Sequence, residues 1–210
     1  MCWETAYEQW LNAPALSQQE QEELRAIQKD KMELRERFYA PLAFGTAGLR
    51  GTMKVGLHHM NVHVVRWVTQ GFAEVICAES DWAGDRKAAV CMDGRKNSRR
   101  FAEAAAEVLA ANGITVYLFD GPRPTPELSF AVRAYGCLAG INITASHNPK
   151  EYNGYKAYWC DGAQLQTETA MAVSARLEEI DVFAGPKRMD LQRGIELGRI
   201  CLLGRSCDEA

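Results

Sequence analysis

The first forty residues carry apolar side chains at helical spacing. One face of a first predicted helix consists of Trp3, Tyr7, Trp10 and Leu11. Beyond Pro14, the segment Ser17–Glu20 is a capping box, which predicts the start of a second helix. The apolar stripe of that second helix consists of Leu24, Ile27, Leu34 and Phe38. Residues 1–40 are therefore predicted to be a helical N-terminal extension that lies on the rest of the chain, and Pro41 ends it.

Between residues 80 and 160, short apolar runs alternate with helical patterns. The runs at 87–92, 114–119 and 137–143 predict three strands. Helices are predicted between them, over about 99–111 and from an N-cap at Thr125, with Pro126 in the first helical position, to about Tyr135. Strands separated by helices of this length pair in parallel through right-handed crossovers. We therefore predict an α/β fold: a three-layer α/β/α domain with a mainly parallel sheet of about four strands, preceded by a helical N-terminal arm.

Three further patterns flank this alternation. A broad apolar face predicts a helix from Asn61 to Glu79, and Tyr155–Trp159 alternates as an edge strand does. Another helix is predicted over 168–180, with Thr167 as its cap. The chain is expected to divide into a helical extension (1–40), the α/β/α domain (41–184) and a linker with the start of a truncated second domain (185–210). In that last, poorly anchored part we expect exposed apolar groups, namely Ile195, Leu197, Ile200 and Leu202.

Composition narrows the classes of function. A hydrophobic fraction of 47% and a charged fraction of 24% indicate a globular core rather than disorder. The net charge of −3 gives no reason to expect a nucleic acid or an anionic membrane as partner. The seven cysteines form no C-x-x-C pair, so they are interpreted as buried or incidental thiols in a reducing compartment. Without a signal-peptide pattern or an apolar run of about 18 residues, the expected location is the cytoplasm.

Two polar segments could carry chemistry. Phe44–Thr52 has glycine at every third position and contains Arg50, whose forked guanidinium suits a phosphate. The segment is neither a G-x-G-x-x-G fingerprint nor a P-loop, so phosphate binding and a plain turn both stay open. His58, His59 and His63 cluster without acidic or cysteine neighbours, and we do not predict a metal site there.

The second polar segment is Thr144–Pro149, which follows the third predicted strand. Loops after parallel strands gather at one edge of the sheet, so Asp93–Arg95, Arg123 and Ser146 are expected to lie together. Three interpretations of Ser146 compete. A hydrolase triad with His147 lacks the G-x-S-x-G elbow. The serine could instead be a structural turn residue, or it could carry a phosphoryl group with Lys156 and Arg50 as charge partners.

These motifs resemble one family. Thr144–Pro149 followed by Tyr152–Lys156 resembles the active-site serine signature of the α-D-phosphohexomutases, the phosphoglucomutase and phosphomannomutase superfamily. Phe44–Gly51 resembles the N-terminal motif of that family, and Asp93–Ser98 fits its first sheet. The glycine motif and the helical extension are together most similar to the phosphoglucomutase-2 and phosphopentomutase branch.

The resemblance implies a phosphotransferase mechanism. Ser146 would be a phosphoserine that passes its phosphoryl group to a sugar monophosphate and recovers one from the bisphosphate, moving phosphate between C1 and C6 of a hexose, or C1 and C5 of a pentose. His147 and Lys156 match positions for proton transfer and charge neutralisation. Thr46 and Arg50 match positions that contact the bisphosphate. The implied cofactors are Mg²⁺, bound in part through the phosphate on Ser146, and glucose 1,6-bisphosphate as intermediate and activator.

The sequence departs from the family in one respect. The Asp-Gly-Asp-x-Asp-Arg metal loop is absent, since the Asp-Gly pairs at 93, 120 and 161 lack the acids that should follow. We therefore expect an N-terminal fragment of a phosphosugar mutase that by itself is inactive in mutase turnover of glucose 1-phosphate to glucose 6-phosphate. The alternatives are a non-catalytic phosphate-binding or interaction module and, within the enzymes, a glucose-1,6-bisphosphate synthase. The residues that would separate hexose from pentose activity are expected beyond Ala210, and the sequence does not indicate an oligomeric state.

Overall fold

The computed structural model describes residues 2–208 and begins with a helical arm. The arm contains α1 (Trp3–Leu11), α2 (Gln18–Ala26) and α3 (Lys31–Phe38). The prediction of one helix from the capping box to Phe38 is wrong, because the helix that begins at the capping box ends at Ala26 and a separate helix follows. Asp30 then caps α3, and its side chain accepts hydrogen bonds from the backbone N–H groups of Met32 (3.1 Å) and Glu33 (3.0 Å).

The rest of the described chain is built on one sheet. Its strands are β1 (Leu49–Thr52), β2 (Lys87–Met92), β3 (Thr115–Phe119), β4 (Ala139–Ile143), β5 (Tyr152–Trp159) and β6 (Ile200–Leu203). Their order across the sheet is β1-β5-β4-β2-β3-β6. The pairs β4–β2, β2–β3 and β3–β6 are parallel, whereas β1–β5 and β5–β4 are antiparallel. The mainly parallel sheet is therefore confirmed, although with six strands rather than about four.

Helices cover both faces of the sheet. They are α4 (Val62–Ala78), α5 (Ser98–Ala111), α6 (Thr125–Ala134), α7 (Thr167–Glu179), α8 (Leu191–Glu196) and α9 (Arg205–Asp208). Side chains of β2 alternate between the faces. Val90 packs in the core formed with α4, α5 and α7, whereas Ala89 and Cys91 pack against α6. The three-layer α/β/α architecture and the helical arm are thus confirmed.

Three local predictions, one about a strand and two about helix caps, are corrected. β5 is not an edge strand, because β1 pairs with its free side and occupies the edge. Thr125 is not an N-cap: Pro124 holds that position, and the Thr125 hydroxyl bonds instead to the side-chain amide of Asn142 at 2.9 Å. Likewise, α7 begins at Thr167 itself and has Gln166 as its N-cap residue.

The segment after residue 185 is anchored, contrary to expectation. β6 pairs in parallel with β3, with Ile200 opposite Val116. Ile200 is 1% exposed and Ile195 packs against the core, so these two predicted exposed positions are wrong. Leu197 and Leu202 are exposed, at 50% and 55%. The proposed boundaries at 40 and 184 stay a prediction.

Aromatic packing fixes the arm to the domain. Trp10 is 1% exposed, and its ring centroid lies 5.9 Å from that of Phe38, 5.9 Å from that of His63 and 4.9 Å from that of Phe183. These edge-to-face contacts join α1 to α3, to α4 and to the segment after α7.

Two interior thiols behave as small apolar side chains. Burial raises the pKa of Cys91 and of Cys137 to about 12, so both stay protonated at neutral pH. Over residues 2–208, we find no helix with the length and apolar character needed to cross a membrane.

Candidate active site

The carboxyl ends of the parallel strands meet at one edge of the sheet. Met92 at the end of β2 lies opposite Ile143 at the end of β4. The backbone N–H of Asp93 donates to the carbonyl of Ile143 (3.1 Å), and that of Arg123 donates to the carbonyl of Met92 (3.0 Å). The loops that follow these strands therefore start side by side.

Ser146 lies in the loop that joins β4 to β5. Its φ of 56° places it in the left-handed region, which costs a residue with a Cβ roughly 1 kcal/mol. Two local bonds support this turn: the Ser146 N–H donates to Thr144 Oγ1 (3.0 Å), and the Asn148 N–H donates to the carbonyl of Ala145 (3.1 Å). Ala145 is buried and Ser146 is exposed, so the serine hydroxyl is accessible at the tip of a constrained loop.

Arg50 reaches the same loop from the neighbouring edge strand. It lies opposite Gly154 in the β1–β5 pair, and its Nη1 donates to Asn148 Oδ1 at 2.8 Å. At Gly154 the backbone of β5 lies close to the start of the serine loop, since a Cβ there would stand 2.7 Å from the carbonyl oxygen of Thr144. Asn148, which was not predicted as a site residue, is therefore the contact between the arginine and the serine loop.

Lys156 is brought in by β5. It lies opposite Asn142 of β4. Its neighbours Tyr155 and Ala157 pack into the core shared with α4, so Lys156 points to the opposite face of the sheet. No hydrogen bond or ion pair within residues 2–208 engages the Lys156 or His147 side chain, and His147 is exposed beside Ser146.

The glycine segment lies against Lys156. Gly45 and Gly48 close a tight turn through two backbone hydrogen bonds of 3.1 and 2.8 Å. Gly48 has φ +77°, and a Cβ there would lie 1.8 Å from the Tyr155 carbonyl oxygen and 2.9 Å from Lys156 Cα. The exposed Thr46 is thereby held at the tip of a turn that touches β5. The segment is therefore a turn that lies beside basic residues, and phosphate binding by it stays a prediction.

Other residues expected at this edge have different surroundings. Arg123 donates to Asp208 (2.8 and 2.9 Å) and to Asp120 (3.2 Å), so these carboxylates occupy its guanidinium. Arg95 binds the carboxylate of Asp93 (Nε to Oδ2, 3.2 Å) and the main chain of the serine loop. The structure thus joins Arg50 to the serine loop through Asn148 and places the Thr46 turn against β5 at Lys156, whereas the Arg123 guanidinium is paired with Asp120 and Asp208.

Two of the clustered histidines, His59 and His63, contact carboxylates of the helical arm. His59 Nε2 lies 2.9 Å from Glu36 Oε2, and burial lowers the pKa of His59. His63 Nε2 lies 3.2 Å from Glu20 Oε1. Although burial opposes it, hydrogen bonds from His63 and Ser17 lower the pKa of Glu20 to about 2.

A cleft lies beside the serine loop rather than over it. It encloses about 660 Å³ and is lined by Thr52, Met53, Lys54, Gly94, Arg95, Lys96, Asn97, Lys150 and Glu151. Ser146 is not among the lining residues and instead faces open solvent.

The sequence of residues 41–183 matches the family described as phosphoglucomutase/phosphomannomutase, alpha/beta/alpha domain I. The chain belongs to the phosphoglucomutase/phosphomannomutase family. The match contains the glycine turn, the Asp93–Ser98 turn, the serine loop and Lys156, which are the segments that the geometry groups at the sheet edge.

Named relatives agree with this assignment. A phosphoglucomutase of Staphylococcus aureus (strain USA300) is 44% identical over 153 residues, which are 73% of this chain and 27% of the relative. Among solved structures, a candidate phosphomannomutase from Thermus thermophilus gives a TM-score of 0.61 at 33% identity, covering 73% of this chain and 34% of that one. A phosphoglucomutase/phosphomannomutase family protein from Burkholderia thailandensis gives 0.56 at 26% identity, covering 70% and 31%. The chain thus spans about a quarter to a third of the length of these proteins.

Proposed function

We propose that this chain supplies the phosphoserine domain of a phosphohexomutase, and that Ser146 is the residue that carries the phosphoryl group. The observation that carries the proposal is the exposed Ser146 hydroxyl, held at φ 56° beside a loop that Arg50 contacts through Asn148. Phosphoryl transfer depends mainly on positioning and on neutralising oxygen charge, and Arg50, His147 and Lys156 are the groups at hand for this. Family membership supports the same reaction class.

The proposed reaction has two balanced transfers. In the first, the bond between Ser146 Oγ and phosphorus breaks while a hydroxyl oxygen of a sugar monophosphate bonds to that phosphorus. The hydroxyl proton leaves to a base, for which His147 or Lys156 is proposed, and the freed serine oxygen gains a proton. In the second, the sugar bisphosphate returns its other phosphoryl group to Ser146. The sugar phosphate released carries its phosphate on a different carbon.

Binding roles are proposed for the two residues of the glycine segment. Arg50 has a forked guanidinium suited to phosphate oxygens, and only its Nη1 is engaged within the described residues. Thr46 offers a hydroxyl at the tip of the turn beside Lys156. We propose that both contact the bisphosphate when it turns over between the two transfers.

The described residues do not by themselves fit a Mg²⁺ ion. Residues 2–208 contain no cluster of three or more His, Cys, Asp or Glu side chains that could hold a metal ion. Asp93, the carboxylate of the Asp93–Ser98 turn, is engaged by Arg95 and Ser98. The phosphate on Ser146 could supply one ligand, but these residues do not form a complete site, and we derive no step through the metal.

The proposed substrate is a phosphosugar, with transfer between C1 and C6 of a hexose favoured over C1 and C5 of a pentose. The name of the S. aureus relative supports the hexose. The similarity of Phe44–Gly51 to the phosphoglucomutase-2 and phosphopentomutase branch keeps the pentose and the bisphosphate synthase as alternatives. Location in the cytoplasm stays a prediction.

Intact-mass spectrometry tests the serine. The chain is incubated with glucose 1,6-bisphosphate and Mg²⁺, and we expect it to gain the mass of one phosphoryl group. Ser146→Ala should gain none, whereas Ser80→Ala, at an exposed serine after α4, should behave as wild type. A phosphoryl group that persists in Ser146→Ala would exclude Ser146 as the carrier.

A non-catalytic phosphate-binding module is the second candidate. It is favoured by the lack of a metal-ligating cluster within residues 2–208. It predicts that calorimetry detects binding of glucose 1-phosphate while the mass of the chain stays unchanged with the bisphosphate. Arg50→Gln should then weaken that binding.

A further inference from the structure

The guanidinium of Arg95 is surrounded by main-chain oxygens of the serine loop. Its Nη2 donates to the carbonyls of Ser146 (2.8 Å) and Asn148 (2.7 Å). Its Nη1 donates to the carbonyls of Pro149 (2.8 Å) and Tyr152 (3.2 Å). One side chain thus collects four carbonyls from a seven-residue stretch that contains the candidate phosphoserine.

No donor of Arg95 is left for a ligand. A guanidinium has five N–H donors. Four are used by the loop carbonyls, and the fifth, on Nε, donates to Asp93 Oδ2 at 3.2 Å. The side chain is 17% exposed. Arg95 therefore differs from Arg50, of which only Nη1 is engaged within the described residues.

A second tier of bonds fixes Arg95 itself. Asp93 Oδ1 accepts from the Arg95 backbone N–H (3.0 Å) and from Ser98 Oγ (2.7 Å). Ser98 Oγ in turn accepts from the side-chain amide of Asn153 at 2.9 Å, and Asn153 is fully buried on β5. The arginine is thereby positioned from α5 and β5 before it meets the loop.

We propose that Arg95 is a positioning residue for phosphoryl transfer at Ser146, a role that rests on the proposed function. By drawing four carbonyls towards one point, it holds the main chain in the path that gives Ser146 its left-handed φ and exposed hydroxyl. Without it, those carbonyls turn to water and the loop samples other paths. A displacement of about 1 Å at a reacting atom can cost on the order of a hundredfold in rate.

Arg95→Lys separates the contribution of the forked guanidinium from that of the positive charge. Lysine keeps the positive charge but has three donors at a single nitrogen, so it cannot serve four carbonyls in two directions. Arg95→Ala removes both. Arg99→Lys is the matched control, because Arg99 lies four residues later at the start of α5, its side chain is 58% exposed and it donates to one carbonyl, that of Asp120.

Amide hydrogen exchange on the 210-residue chain tests the loop directly. In Arg95→Lys and Arg95→Ala we expect exchange at Ser146, Asn148 and Tyr152 to rise by roughly tenfold or more. Exchange in β2 should stay as in wild type, as should all sites in Arg99→Lys. Unchanged loop exchange in the Arg95 variants would overturn the proposal. An equal rise in exchange in the loop and in β2 would also overturn the proposal, since Arg95 would then support the whole fold.

The rate of Ser146 phosphorylation by glucose 1,6-bisphosphate separates positioning from binding. We expect both Arg95 variants to lose roughly tenfold or more in the maximal rate, with little change in the bisphosphate concentration that gives half of it. If Arg95 bound the phosphate instead, the half-maximal bisphosphate concentration would rise in Arg95→Ala. In Arg95→Lys it would stay close to the wild-type value. An unchanged maximal rate in variants with a loosened loop would exclude the catalytic consequence.

Hydrogen exchange and the phosphorylation rate together distinguish failure of the proposed function from failure of the role of Arg95. If wild type takes up no phosphoryl group, the proposed function fails, and hydrogen exchange alone decides whether Arg95 holds the loop. If wild type is phosphorylated and neither Arg95 variant changes exchange or rate, the proposed function stands and the role of Arg95 is refuted.

Discussion

The helical arm and the serine end of the sheet are stabilised by different kinds of polar contact. The arm uses charged side chains: within it Arg37 binds Glu23 and Glu33, and Glu33 also binds Lys54 of the domain at 2.9 Å. At the serine end, the acceptors are mostly main-chain carbonyls, and two backbones approach each other directly at Gly48.

This difference has a physical consequence. Contacts between carboxylates and cations weaken when either partner changes protonation, so the attachment of the arm depends on pH. Main-chain contacts do not titrate and depend instead on shape, so the serine end should tolerate pH changes and be sensitive to added volume. A surface that must present one hydroxyl in one place is better served by the second kind of contact.

The largest effect is expected at Gly48. Gly48→Ala places a Cβ 1.8 Å from the Tyr155 carbonyl oxygen at φ +77°. The turn must then move, and we expect urea unfolding to show a loss of roughly 3 kcal/mol or more in the free energy of unfolding. Gly113→Ala is the control, since its φ is +82° but nothing lies within 4 Å of the added Cβ. It should lose roughly 1 kcal/mol, from backbone strain alone. Equal losses in the two variants would contradict the role of close backbone contact.

Arg37 is expected to give the next largest effect, in the arm. Its side chain is 6% exposed, and it also donates to the carbonyl of Val55 at 2.9 Å. Arg37→Ala leaves Glu23 and Glu33 without this partner, and we expect a loss of about 2–3 kcal/mol in the free energy of unfolding. The exposed Arg25 of α2 is the control, and Arg25→Ala should change stability by under about 0.5 kcal/mol. A similar small change in Arg37→Ala would mean that ion pairs do not hold the arm.

The regular elements were predictable from sequence because their signals are local. β2 begins and ends where its apolar run does, and α5 ends at Asn112–Gly113 as expected. The missed strands β1 and β6 have four residues each, and they exist because a distant strand pairs with them. β1 carries a glycine and an exposed arginine, so its composition resembles a loop. The break before α3 did have a local signal, since Asp30 precedes Glu33 as a cap does.

For the candidate site, the sequence predicted which residues matter but not which hydrogen bonds they form. Ser146, Lys156 and Arg50 stand out as residue types in recognisable motifs, and the structure groups the segments that carry them. The sequence does not show which hydrogen-bond donors of a side chain are used within the protein and which stay free for a ligand. Arg95 and Arg123 both follow strands and were expected to project similarly, but one binds four carbonyls of the serine loop and the other binds Asp120 and Asp208.

Glu20 tests the pH dependence of the arm. Its pKa is lowered to about 2 from 4.5, despite the opposing effect of burial, by hydrogen bonds from His63 and Ser17. A lowered folded-state pKa stabilises the protein above the unfolded value, and this stabilisation is lost as pH falls from about 4.5 towards 2. Above pH 5, Glu20→Gln should therefore be less stable than wild type by on the order of 1–2 kcal/mol.

The measurement is urea unfolding at several pH values. The difference between wild type and Glu20→Gln should shrink as pH falls towards 2. Glu22→Gln, on the exposed face of the same helix, controls for the loss of one negative charge. A difference that does not depend on pH would show that the Glu20 carboxylate is not what fastens α2 to α4.

The smallest stability effect is expected at the side-chain hydrogen bond between Arg50 and Asn148. The Arg50–Asn148 bond is exposed, so Asn148→Ala and Arg50→Ala should each cost roughly 0.5 kcal/mol or less. In a double-mutant cycle their coupling energy should stay below about 1 kcal/mol. A coupling of about 2 kcal/mol would mean that the serine loop, like the arm, is held by side-chain pairing. A small coupling leaves the loop fixed by its main-chain contacts, so the Arg50 guanidinium can leave Asn148 for a phosphate without loosening the serine.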